Sequence, residues 1–325
     1  MGVYSSEIIS GLTSGHPEID WRLLYRPHRF GLALREAALP TAHRGVLFDR
    51  SPWRLTKLFH GLNQRLPRDG FERQVVTFHD LFVLTAEYSS PDFRARFADQ
   101  ARRAANQADH VIAVSRFTAN QIVELLGVEE ARISVIAHGV RVLPRCEGPR
   151  ENVILHVGAV QKRKNLVRLV RAFDRRVPND WRLVLAGSAG YGSEEVYQAV
   201  RDARGRERIT LTGYLQDSEL FSWYARARIF AFPSLGEGFG IPVLEAMAAG
   251  IPVVTSLASS LPEVAGDAAL LVNPESEEEL GDALVRLISD EALRQSLTIA
   301  GRSRAALFPW ENAVAATFRV YQSVW

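Results

Sequence analysis

The chain has 325 residues, 47% of them hydrophobic and 23% charged, with a formal net charge of +2. That length suits two domains better than one core, and the composition describes a soluble globular protein. So small a net charge implies neither nucleic acid nor an anionic membrane as a partner. The single cysteine, Cys146, cannot close an internal disulfide, which fits a reducing cytoplasm. No run reaches the ~20 apolar residues of a membrane helix. The opening MGVYSSEIISGL lacks the basic region and apolar core of a secretory signal, and the match of Gly2 and Ser6 to a myristoylation pattern is a cheap one.

In chain order, Tyr4 to Leu12 reads as a helix with Ile8, Ile9 and Leu12 on its apolar face, and Trp21 to Tyr25 reads as a strand. An α/β domain normally opens with a strand and a glycine turn before its first helix, so the chain reads as starting inside that turn. The segment Arg54 to Asp69 has two readings: a membrane-surface patch for a lipid-linked acceptor, or a short strand KLFH followed by a polar loop. Gly61 and Pro67 break the helical period and favour the strand. Gln74 to Leu81 is a buried strand ending in His79 and Asp80, placed where parallel sheets bind ligands. A helix over Pro91 to Gln107, a strand over His110 to Val114 and a helix over Arg116 to Leu126 follow, the last capped by Ser115 and ended by Gly127. After a strand over Arg132 to Ile136, the mixed charge, prolines and glycine of Arg141 to Glu151 read as a linker.

A second strand–helix series starts at Asn152. Its strands are VILHVG, Arg182 to Gly187, Ile209 to Gly213, Ile229 to Ser234, Pro252 to Ser256 and Ala269 to Pro274, with amphipathic helices predicted over Ser276 to Leu307 and Glu311 to Val324. Short apolar strands alternating with helices argue for parallel sheets covered on both faces. The expected fold class is α/β, with two doubly wound domains facing a cleft. Their expected spans are 1–148 and 149–308, with a terminal helix over 309–325 crossing back to the first domain.

The chemistry concentrates in PSLGEGFGIPVLEAMAAG, Pro233 to Gly250. Gly236, Gly238 and Gly240 let the backbone present its amides closely, and the helix starting at Ile241 or Pro242 adds its dipole, which together favour a phosphate. Glu237 and Glu245 in the same segment would repel a bare phosphate. The combination suits a ligand with phosphates at one end and hydroxyls at the other, as in a sugar nucleotide. Arg163 and Lys164, in the turn after Gly158, suit a diphosphate clamp or a solvated basic turn. Gly187 and Gly213 end strands as ligand-approach points or ordinary turn glycines, and Tyr214 is placed to stack on a base or simply to lie at the surface. His79 has no second histidine three or four residues away, which argues against a zinc site.

These motifs resemble the retaining glycosyltransferases of family 4, with the GT-B fold of two Rossmann-like domains. The most specific is the E-x7-E pattern of EGFGIPVLE, Glu237 to Glu245; VGAVQKRKNL, LVLAG, LTGY, PSLGEGFG and SSLPEVAGDAALLVNP stand around it in the family's order. The look is nearest to bacterial mannosyltransferase-like members. The resemblance implies a nucleotide-diphosphate sugar as donor, a glycan or lipid-linked acceptor, no metal or other cofactor, no nucleic acid, and work in the cytoplasm with peripheral contact at the inner membrane face. It implies that Arg163 and Lys164 hold the diphosphate beside the amides of Gly238, Phe239 and Gly240, that Glu245 binds ribose, and that Glu237 and His79 reach the transferred sugar. Two departures stand out: Ala159 replaces an arginine common in relatives, and Met1–Gly2–Val3 matches the end of the family's glycine-rich acceptor loop, so the first strand is missing from the pattern. A nucleotide-sugar epimerase of the same fold and a non-catalytic sugar-nucleotide-binding subunit stand as alternatives.

Overall fold

The computed structural model describes residues 2–33, 42–47, 57–68, 71–141, 143 and 148–325. Cys146, much of the Arg141–Glu151 linker and parts of Arg54–Asp69 lie outside these residues. The chain forms two compact units, one of residues 1–84, 94–139 and 310–325, the other of residues 85–93 and 140–309.

In the first unit, β1 (Trp21–Tyr25) and β2 (Ala42–Val46) form a parallel pair. The main sheet is β3 (Leu58–Gly61), β4 (Arg73–Phe78), β5 (His110–Ala113) and β6 (Ile133–Val135), parallel and in that spatial order. The strand reading of KLFH is thus realised, one residue on. Because side chains alternate along a strand, Val75 and Ile112 enter one core with Ile8, Leu12, Trp310 and Tyr321, while Val76, Phe78 and Val111 enter another with Phe97, Ala101 and Ile122. The first of these cores is made by the helices Val3–Gly15 and Trp310–Val324, the second by Pro91–Gln107 and Arg116–Leu126. Ser115 caps the Arg116 helix by accepting from the Thr118 amide, and Gly127 closes it at φ 68°.

A polar network runs through this apolar layer. His60 Nδ1 lies 2.6 Å from Tyr321 Oη and its Nε2 lies 2.8 Å from Thr77 Oγ1, which also meets Tyr4 Oη at 2.9 Å. A neutral imidazole donates through one nitrogen and accepts through the other, so the ring satisfies both contacts without a charge. Burial, reinforced by the neighbouring His79, pushes His60 down to about 3.

The second unit is built on β7 (Glu151–Val157), β8 (Arg182–Ala186), β9 (Ile209–Gly213), β10 (Ala227–Phe232), β11 (Val253–Ser256) and β12 (Ala269–Val272). They pair in parallel in the order β12-β11-β10-β7-β8-β9, a doubly wound sheet whose direction of winding reverses between β7 and β10. Arg150, just before β7, ties the amino edge of this sheet to two helix ends. Its guanidinium donates to the carbonyls of Tyr224, Ala225, Ala227 and Ala249. The single helix expected over Ser276 to Leu307 is two, Glu277–Ser289 and Glu291–Ala305. Asp290 takes extended angles between them, and its carboxylate accepts from the Leu293 amide at 2.8 Å, so it stops one helix by starting the next.

The buried histidines set an acid limit. His60, and His156 of the second unit, are held at about 3 against an ordinary 6.5, mainly by burial. Below pH 6.5 the unfolded chain binds protons that the folded chain refuses, so stability falls as pH drops from about 6.5 toward 3. The thermal unfolding midpoint is expected to be flat above pH 7 and to fall steadily from pH 6.5 to 4.5. A midpoint constant over that range contradicts the assignment.

Candidate functional site

The crevice of a doubly wound sheet opens where the winding reverses, beyond the carboxyl ends of the two strands that flank the reversal. Those strands are β7 and β10. After β7 the chain makes a one-turn 3-10 helix, Lys162–Lys164, then reverses at Asn165, which holds a left-handed φ of 58°. Asparagine tolerates that conformation, and here its Nδ2 donates to the carbonyls of Pro233 at 3.0 Å and Pro274 at 2.7 Å. After β10 comes Pro233 to Gly240. The two segments are stitched by a backbone bond from the Leu235 amide to the Arg163 carbonyl, 2.8 Å.

The expected clamp and the expected sugar ligand meet each other. Lys164 Nζ lies 2.7 Å from Glu237 Oε1 and Arg163 lies 2.7 Å from Glu237 Oε2, so each carboxylate oxygen faces its own cation. Arg163 also donates to the Gly236 carbonyl, and Lys164 sits 4.6 Å from the centre of the Phe232 ring. Burial alone would push the Glu237 carboxyl up; the charges of Lys164 and Arg163 and the hydrogen bonds they donate outweigh it and hold the group at about 2. Glu237 is therefore an ionised carboxylate at every working pH. Beside it, His156 stacks on Phe232 and donates through Nδ1 to the Ala231 carbonyl at 3.0 Å, which fixes a neutral ring in the layer under Lys164.

The loop carrying Glu237 is held from the start of a later helix, Leu261–Ala265. The Glu237 amide donates to Ser259 Oγ at 2.8 Å, and Ser260 Oγ donates to the carbonyls of Glu237 and Phe239 at 2.7 and 2.9 Å. Ser259 keeps an unfavourable φ of 55° to do this. Gly240 opens the Ile241–Ala248 helix at φ 112°, where a Cβ would come within 2.9 Å of Leu261. That helix, with Pro242 in its first turn, ends before Gly250 at φ 72°.

Glu245 lies in that helix, buried, with partners that composition did not reveal. Arg141 approaches its Oε1 through Nε at 2.9 Å and NH2 at 2.7 Å, a two-pronged contact, and the Tyr224 hydroxyl donates to Oε2 at 3.0 Å. Arg141 also meets the exposed Asp217 at 3.3 Å and packs over Phe221. A carboxylate has about four acceptor sites, so Glu245 keeps acceptor capacity beyond these contacts.

The remaining residues sort by position. Gly158 and Gly187 lie side by side: a Cβ on Gly187 would strike the Gly158 carbonyl, and one on Gly158 would press on Lys164 at 3.3 Å. Gly213 turns at φ 70°, and Tyr214 after it is 73% exposed, an open aromatic face. Phe239 is buried, and its ring packs edge-on against Phe308. Gly238 lies between Glu237 and Phe239 on the same loop. In the other unit, His79 Nε2 donates to the Leu62 carbonyl at 2.9 Å, so its Nδ1 is the acceptor that faces His138 Nε2 at 3.3 Å. Tyr4 packs edge-on against His79, and burial pushes His79 down. Among the described residues, no cluster of three or more histidine, cysteine, aspartate or glutamate side chains is placed to hold a metal ion, and no helix is long and apolar enough to cross a membrane.

Two Rossmann-like units, with a glycine loop, a carboxylate and a basic turn gathered at the switch point of one of them, define a glycosyltransferase of the GT-B class. Residues 151–290 match the family described as glycosyl transferases group 1, and residues 51–142 match glycosyltransferase family 4. The chain is 31% identical over 310 residues to the O-antigen chain mannosyltransferase B of Escherichia coli, covering 89% of this chain and 81% of that one. It is 27% identical over 262 residues to the serotype-specific mannosyltransferase WbdA of Escherichia coli, covering 74% of this chain but 32% of that longer protein. The structure of Anabaena HepE in complex with UDP-glucose superposes with a TM-score of 0.78 at 17% identity, over 99% of this chain and 96% of that one. The chain belongs to the family 4, group 1 glycosyltransferases.

The seryl brace on the Glu237 loop gives a direct check. Ser260→Ala removes the hydroxyl that donates to two loop carbonyls, leaving the Glu237 carbonyl only the longer 3.4 Å bond from the Ser260 amide, and is expected to cost about 1–3 kcal/mol of stability, measured by denaturant unfolding. A loss below 0.5 kcal/mol would remove Ser260 from the loop's support.

Proposed function

We propose that this chain transfers a sugar, mannose by the kind of its relatives, from a nucleotide-diphosphate sugar to a glycan or lipid-linked acceptor, with retention of configuration and without a metal. The observation that carries the reading is the meeting at one switch point of two cations, a glycine loop and the Glu237 carboxylate, with Glu245 on the helix that the loop opens. Arg163, Lys164 and the amides of Gly238, Phe239 and Gly240 are assigned to the diphosphate, with Gly158, Gly187 and Gly213 giving close backbone approach. Glu245 is assigned to the ribose hydroxyls, Tyr214 to the base and Glu237 to the hydroxyls of the transferred sugar. His79 is assigned to that sugar by the family resemblance.

The reaction these roles support breaks the bond between the sugar's anomeric carbon and the diphosphate oxygen. Charge grows on the leaving diphosphate, where positive groups and fixed amides stabilise it most. The acceptor hydroxyl attacks the anomeric carbon from the face the diphosphate leaves, and its proton passes to the departing phosphate oxygen. A carboxyl held at about 2 cannot give up a proton at neutral pH, so Glu237 acts as a negative charge and hydrogen-bond acceptor beside a sugar that gains positive character. The two cations carry the work a divalent ion performs elsewhere. A lipid-linked acceptor would bring the chain to the inner membrane face, which co-sedimentation with anionic vesicles tests.

A donor panel crossed with candidate acceptors tests the activity. Acceptor-dependent transfer, unchanged by EDTA, with retained anomeric configuration by proton NMR, is the expected result; isomerisation of the donor without acceptor would overturn it. Glu245→Ala is expected to raise the donor KM by roughly tenfold or more, and Glu237→Ala to lower kcat by roughly 100-fold with a smaller change in KM. Unchanged kinetics in both would remove these two residues from the site.

A further inference from the structure

Glu237 carries a contradiction if its only task is to bind sugar hydroxyls. Both of its carboxylate oxygens are taken, one by Lys164 and one by Arg163, each at 2.7 Å. The three side chains are 9%, 9% and 16% exposed, so solvent does little to soften the contacts. Two cations facing one carboxylate leave a single positive charge, whereas a diphosphate monoester brings at least two negative ones. The loop's backbone cannot swing away to make room, because Ser259 and Ser260 hold the amide and carbonyl of Glu237 and the carbonyl of Phe239. The exchange is left to side chains, and that of Glu237 turns about three bonds.

We infer that Glu237 is an internal competitor of the diphosphate: its carboxylate and a nucleoside diphosphate bind the same two cations in exchange. The proposal rests on the reading of Arg163 and Lys164 as the diphosphate clamp. When donor binds, its phosphate oxygens take over Lys164 and Arg163, and the displaced carboxylate turns to the sugar. After transfer no glycosyl group remains to hold the carboxylate, which reclaims the cations as the nucleoside diphosphate departs. One residue thus weakens product binding as well as contacting the sugar. Lids and product release limit many enzymes of this kind of chemistry, and a built-in counter-anion speeds that step without moving the fold.

Competition and simple support predict opposite signs. If Glu237 only positioned the clamp, removing its charge would loosen Arg163 and Lys164 and weaken diphosphate binding. If it competes, removal strengthens binding. Calorimetric titration of the full chain with inorganic pyrophosphate, GDP and UDP decides: Glu237→Gln is expected to bind roughly three- to tenfold tighter than the parent while turning over more slowly. Glu237→Asp, which keeps the charge but reaches less far, is expected between the two, and stands in should the glutamine variant not fold. In Glu237→Ala, added sodium formate is expected to fill the vacated carboxylate position and weaken pyrophosphate binding in a saturable way, beyond sodium chloride of equal ionic strength; in the parent the two salts act alike. Unchanged or weaker pyrophosphate binding in Glu237→Gln, or in Glu237→Asp, overturns the competition, as does equal action of the two salts in Glu237→Ala. Lys164→Gln separates the two levels. A tenfold or greater loss of pyrophosphate affinity upholds the clamp whatever Glu237→Gln does, and no loss removes the clamp and this proposal with it.

Discussion

The adjacency of β7 and β10 is the constraint on which the candidate site of the second unit depends. Residues 163 and 164 stand more than seventy positions from Glu237, yet the reversal of winding makes their strands neighbours and throws both following loops to the same edge. A right-handed crossover on either side of that reversal leaves a crevice that no helix fills. The ion triad is the chemical result. Its partners are buried, and breaking such a triad by removing one member would ordinarily cost several kcal/mol. The arrangement is supported by fixed neighbours: the Gly236 carbonyl for Arg163, the Phe232 ring for Lys164, and the two serines for the loop that carries Glu237.

Much of the fold is legible in the sequence because parallel strands buried on both faces are written as short apolar runs. Those ending in glycine, such as Arg182 to Gly187 and Ile209 to Gly213, announce their own limits. The caps at Ser115, Gly127 and Gly250 are equally local. What stays hidden is non-local. Arg141 looks like the first residue of a charged linker, and nothing in its surroundings marks it as the two-pronged partner of Glu245, 104 positions later. Asp290 reads as one more polar residue of an amphipathic stretch, because its extended backbone is set by the bond it accepts from Leu293. The acidic pair and the basic turn are each visible as motifs, but the sequence cannot say that they neutralise each other.

The two units solve the same burial problem with different chemistry. In the second unit, ionised groups are kept and matched by opposite charges. In the other, His60, Thr77, Tyr4 and Tyr321 form a network with no net charge, and His79 and His138 face each other with one ring donating to the other. Neutral networks of this kind fix side-chain orientation through hydrogen-bond direction alone. They also commit nitrogens: the Nε2 proton of His79 is spent on Leu62, so any ligand contact through that atom requires the ring to leave its carbonyl.

Arg150 shows how far from the chemistry the unit's precision is set. Its guanidinium gathers the main-chain oxygens that end the helix of Tyr224 and the helix of Glu245, together with that of the first residue of β10. Tyr224 offers its carbonyl to that hub and its hydroxyl to the Glu245 carboxylate. Tyr224 and Glu245, whose side chains meet, therefore share a common mooring on the far edge of the sheet. One guanidinium and one hydroxyl thus couple the ends of two helices to the spacing between the tyrosine and the carboxylate.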